Sequence, residues 1–188
     1  MSYLHAELLK LWSLPALRLT VALTLATTVL LRWAAGEPGA LPLMYTQAGF
    51  LVLGVLAVSA EHEAGNQFRT TLLAMPRRLP LLAAKAATLA TATLPVAALA
   101  SLTCGVHATA HLTLTALLAA AVTLILRHPV PAILVLLGVY FIATPLLRGH
   151  EHLSDWLPGD PARLGAAVPL WTLAAAITAA ASLSRRDA

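Results

Sequence analysis

Residues 59–85 read SAEHEAGNQFRTTLLAMPRRLPLLAAK, a polar stretch that leaves one long apolar run (41–60) and enters another (79–106). Crossing the hydrocarbon core of a bilayer takes about 20 apolar residues in a helix, and both flanking runs are long enough. The stretch therefore reads as a loop between two membrane helices, with internal order of its own. Glu61 ends the first run. Gly65 permits a turn, and Asn66 is a good N-cap for a short helix, QFRTTLLAM, which Pro76 ends. Pro80 suits the first turn of the next span. Phe68, Leu72 and Met75 share one face of the short helix. An apolar face held near a membrane and flanked by arginines suits docking into a groove on a soluble partner. A plain loop on the positively charged side of the membrane is the alternative reading.

The rest of the chain has the same character. Of its 188 residues, 59% are hydrophobic and 11% charged, where a soluble domain carries roughly 25% charged residues. The fold class read from this is an all-α membrane protein, because lipid forces every backbone group to be satisfied within its own segment. Six spans are expected: Leu14–Trp33, Leu41–Ala60, Leu79–Val106, Ala110–Leu126, Pro129–Leu147 and Gly165–Leu183. The fourth and fifth are separated by only Arg127 and His128 before Pro129, so they read as a tight helical hairpin. The chain forms a single domain, 1–188, with no internal repeat.

Ahead of the first span, Leu4, Leu8, Leu11 and Trp12 fall on one helical face and His5, Glu7 and Lys10 mostly on the other. Residues 1–13 read as an amphipathic helix lying on the membrane surface; a simple extension of the first span is the alternative. Glu7 and Lys10 sit inside the first apolar window, so a cleaved signal peptide is not expected.

Six spans put both termini on one side. That side carries nine basic residues: Lys10, Arg18, Arg69, Arg77, Arg78, Lys85, Arg127, Arg185 and Arg186. The other carries three: Arg32, Arg148 and Arg163. The positive-inside rule then places both termini and the 61–78 segment in the cytoplasm, in a multi-pass plasma-membrane protein.

The residues EHEAGNQFRTTLLAMPRR, followed by AAK, resemble the cytoplasmic segment between the second and third helices of ABC-2 type permeases. These are the membrane subunits of ATP-binding-cassette exporters, and many actinobacterial members show this pattern. The resemblance rests on Glu61, Gly65, the run Arg69-Thr70-Thr71-Leu72, and Pro76-Arg77-Arg78; either Glu61 or Glu63 takes the place of the family's acid. WLPGDPARLG (156–165) is similar to the outer loop before the last span, and RRDA (185–188) to a common ending of these chains. The segment between the third and fourth spans is shorter than in most members.

The resemblance implies a permease that exports a small molecule, drug, peptide or lipid-like substrate. The short helix would be the coupling helix on a separate ATPase subunit, with Glu61, Glu63, Gly65, Phe68, Arg69, Thr70, Leu72, Arg77 and Arg78 as the coupling set. The N-terminal helix would touch the same subunit, and the outer loop at 148–164 would form re-entrant helices. The partners implied are ABC ATPase subunits, a second permease copy or a related chain, and the bilayer. No cofactor is expected in this chain: ATP and Mg would be bound by the partner. In agreement, the sequence has no Gly-x-x-x-x-Gly-Lys-Ser/Thr phosphate loop.

Other features carry less. No basic run with interleaved aromatics points to nucleic acid. Cys104 is the only cysteine, so no internal disulfide can form. His150, Glu151 and His152, with His107 and His111 at helical spacing, offer metal-type ligands near the outer face. They support an alternative reading as a small metal-handling membrane protein or enzyme, but neighbours within one turn rarely converge and no metal site is assigned. A membrane scaffold with no transport is a third reading. The spans hold almost no ionisable groups. Thr88, Thr91, Thr93, Thr113, Thr115 and Thr123 are expected to bond their own helix backbones rather than line a path.

Overall fold

A computed structural model describes residues 14–35, 40–63, 78–104, 108–147, 156–158 and 167–185. Six helices account for nearly all of them, and no strand occurs among the described residues. They are α1 (Pro15–Ala35), α2 (Ala40–Glu63), α3 (Arg78–Cys104), α4 (Ala108–Leu126), α5 (Pro129–Leu146) and α6 (Ala167–Arg185). Each matches one of the six apolar runs of the sequence to within a few residues. By length and apolar composition, α1, α3, α4 and α5 can cross a membrane, while α2 and α6 carry shorter apolar stretches, Leu43–Ser59 and Ala167–Ser182. The expected surface helix (1–13), the short helix between the second and third spans, and nearly all of the outer loop lie outside the described residues.

The outer surface of the bundle is greasy. Leu19, Leu23, Leu30, Leu134, Ile142, Leu173 and Ile177 are all more than half exposed. Water would penalise such a surface, whereas lipid tails accept it. The interior holds polar groups as well, with twelve threonine, serine or amide side chains and one imidazole among the described buried residues.

The centre is α4, which contacts α2, α3, α5 and α6. Eleven of its 19 residues are buried, and its alanines explain why. Ala116 and Ala119 meet α2 where Gly54 sits so close that an added Cβ would collide with the Ala116 backbone carbonyl. Gly49 makes a similar approach to Thr24 of α1. In lipid, helix association depends on this kind of close fit, because burying apolar area gives no advantage over tail contact. Around these crossings lie Phe50, Leu53, Leu112 and Ala97 in one cluster, and Leu51, Val55, Leu118, Leu136 and Tyr140 in another.

The hairpin between α4 and α5 is as tight as the sequence suggests. Arg127 ends α4 in the left-handed region at φ 59, and its N–H reaches back to the Thr123 carbonyl at 2.7 Å, a common helix-ending geometry. His128 precedes a proline, which disfavours the helical region, and it is extended at φ −132, ψ 131. Pro129 then opens α5 with its fixed φ.

Candidate functional site

Two features stand out once the helices are placed: a buried polar layer and a lateral groove. The polar layer starts on α1. Thr28 donates to the Thr24 carbonyl at 2.7 Å and shares a 2.9 Å contact with the Thr46 hydroxyl of α2. Next to Thr46, Gln47 turns toward α4, where its amide Nε2 bonds to His111 Nε2. A nitrogen-to-nitrogen contact needs one donor and one acceptor, so the amide donates and the ring nitrogen accepts. One turn on, Thr115 donates to the His111 carbonyl at 2.8 Å. The Tyr140 hydroxyl of α5 faces Thr115 but meets hydrogen-bond geometry with no described protein atom. Gln47, His111 and Tyr140 are each 1% exposed.

Tyr140 is presented by an irregular turn. Residues Gly138–Ala143 form a π-helical segment inside α5, and the Thr144 hydroxyl bonds the Val139 carbonyl five residues back at 2.9 Å. Such a bulge inserts an extra residue per turn and re-aims the side chains that follow; it recurs at functional sites.

The groove lies between α3, α4 and α6, with Ala57 and Val58 of α2 also in its wall. It has a volume of about 370 Å³ and is lined by Lys85, Thr88, Leu89, Leu117, Leu173 and Ala176, among others. Thr88 donates to the Ala84 carbonyl at 2.8 Å and Thr172 to the Val168 carbonyl at 2.7 Å. Both lining hydroxyls are thus turned to their own helices.

The residues singled out from sequence are placed as follows. Glu61 and Glu63 belong to the last turn of α2 and Arg78 opens α3, two helices that touch. Gly65, Phe68, Arg69, Thr70, Leu72 and Arg77 lie outside the described residues, as do His107, His150, Glu151 and His152. His111 is not a surface ligand: it is buried and bonded to Gln47. No group of three or more metal-type ligands gathers among the described residues. The six threonines behave as expected, each bonding a carbonyl three or four residues back on its own helix. At the far end, Trp171 Nε1 donates to the Trp156 carbonyl at 2.7 Å and ties the start of α6 to the segment before it.

Sequence reasoning missed the Gln47–His111 pair and the groove. A signal for the first existed, since a glutamine in an apolar span needs a partner. Comparison with protein-family models, with curated proteins and with solved structures gives no match for this chain.

Proposed function

We propose that the protein is the membrane subunit of an ABC-2 type exporter, working with a separate ATPase and a second permease chain. The observation that carries this reading is the residue pattern between α2 and α3: Glu61 or Glu63, Gly65, Arg69-Thr70-Thr71-Leu72 and Pro76-Arg77-Arg78. The fold supports it by joining two adjacent helices of a six-helix bundle through that segment. In such a machine, closure of the ATPase pair moves a docked helix, and the helix ends tilt the spans between two packings. The role of this chain is mechanical: it presents Phe68 and Leu72 to the ATPase, with Arg69, Arg77 and Arg78 fixing the pose by charge.

Both termini and residues 64–77 are then cytoplasmic, the six helices all span, and residues 148–164 cover the exit. A metal-handling reading loses one of its four candidate imidazoles, because His111 is buried and bonded to Gln47; its other residues, His107, His150, Glu151 and His152, lie outside the described residues.

The test is co-expression with a Walker A–containing ATPase encoded beside this chain. Under the proposal the two co-purify, and Arg69→Glu or Phe68→Ala abolishes stimulated ATPase activity while the protein still inserts. Normal coupling in both variants would sink the assignment of the coupling helix.

A further inference from the structure

The buried residues of α5 recur at every fourth position: Ala132, Leu136, Tyr140 and Thr144. A regular α-helix turns about 100° per residue, so the path from Ala132 to Thr144 would overshoot three full turns by about 120°. Thr144 would then stand well off the buried line. The π turn at Gly138–Ala143 absorbs the excess. An extra residue in one turn takes up about 100°, and this holds Thr144 in line with Ala132.

The alignment has a cost at Tyr140. In a regular α-helix its carbonyl would accept the Thr144 N–H, but that N–H goes to the Val139 carbonyl instead. In the π pattern the donor would be residue 145, a proline, which has no N–H. Tyr140 is buried, so a carbonyl without a helical donor is penalised there. The regular register has a matching cost. Thr144 would return to Tyr140, but the Pro145 ring would press on the Phe141 carbonyl four residues back, and that carbonyl would lose its donor. The Thr144 hydroxyl serves both registers: it now bonds the Val139 carbonyl at 2.9 Å, and in a regular turn the Tyr140 carbonyl lies at the usual four-residue spacing. Each register therefore strands one carbonyl, and the two penalties are of like size.

The surroundings leave room for the change. The backbone of Pro129–Leu137 packs closely on α2 and α4, whereas that of Gly138–Leu146 approaches the other described helices much less. At Gly138, where the π turn begins, an added Cβ would meet nothing within 4 Å.

We propose that the π turn of α5 is a two-position joint. When it closes to a regular α-turn, residues 144–147 rotate by about 100° about the helix axis, while Pro129–Leu137 stays seated on α2 and α4. Thr144 leaves the buried line, and the end of α5 that leads into residues 148–164 turns with it. The joint rests on the backbone of α5 alone, so failure of the exporter reading would leave it intact. Within that reading it supplies a bistable element that a docked motor can bias.

The experiment is double electron–electron resonance on the full chain in nanodiscs, with nitroxides on Leu134→Cys and Leu146→Cys in a Cys104→Ser background. Both leucines are exposed. The π register sets the two labels on one side of the helix and gives the shorter distance; the regular register sets them about 120° apart and gives a longer one. The expected result is both components in the otherwise wild-type chain. Pro145→Ala restores the N–H and removes the ring, and should leave only the longer component. Deleting Val139 removes the extra residue, lets a regular helix keep the alignment, and should leave only the shorter one. The thermal midpoint of each variant checks folding. A single distance in the wild-type background, or an unchanged distribution in Pro145→Ala, overturns the joint and makes the bulge a fixed feature.

Discussion

Gln47 of α2 and His111 of α4 are 64 positions apart in sequence and joined side chain to side chain in the protein interior. The pair locks two helices that run in the same direction, because Gly54 meets Ala116 further along the same two helices. Replacing either partner by leucine leaves the other polar group buried. Measured couplings of this kind between membrane helices average about 0.6 kcal/mol and reach about 1.7. Thermal unfolding in detergent should show Gln47→Leu and His111→Leu each destabilising, and the double variant losing less than the sum. Strict additivity would mean the bond contributes no coupling.

Glycine substitutions should rank by what the new methyl group meets. At Gly54 it meets the backbone carbonyl of Ala116, which cannot move unless α4 moves. At Gly49 it meets the Thr24 Cβ as well as both branches of that side chain, so a rotamer change cannot clear it and α1 must shift. At Gly138 nothing lies within 4 Å. Gly54→Ala and Gly49→Ala should therefore each cost about 1–3 kcal/mol, and Gly138→Ala should be neutral or stabilise by up to about 1 kcal/mol. Unfolding midpoints of the three variants check the order.

Arg127 holds a left-handed backbone at φ 59 without being glycine. That conformation costs an ordinary residue about 1–2 kcal/mol. Arg127→Gly should raise the unfolding midpoint and Arg127→Val, β-branched, should lower it. The opposite order would mean the side chain, not the backbone, sets the hairpin.

The orientation proposed here can be read by labelling intact cells with an impermeant maleimide. In a Cys104→Ser background, Gly36→Cys should label directly. Gln67→Cys should label only after permeabilisation. The reverse pattern would invert the membrane orientation and remove residues 64–77 from contact with a cytoplasmic ATPase.

Much of the fold is legible along the chain. Apolar runs of helical length give the six helices, since a segment that must satisfy its backbone inside lipid has little choice but to be a helix. Arg127, His128 and Pro129 specify the hairpin through local backbone rules. The threonines bond their own helices because the acceptor carbonyl lies one turn away, so no distant partner is needed.

The candidate site is less legible, for a physical reason. In water the buried face of a helix is marked by its apolar residues, but in a membrane both faces are apolar and the mark disappears. Nothing in the order of residues tells that α4 is central and α1 peripheral, that His111 meets Gln47, or that Lys85 lines a groove. By itself the sequence determines where the helices are and how short the α4–α5 turn must be, because those are local consequences of hydropathy and backbone sterics. Which helices touch, which polar groups they enclose and where they leave room are decided only by tertiary packing, where the fit of Gly54 against Ala116 selects one arrangement from many equally greasy ones.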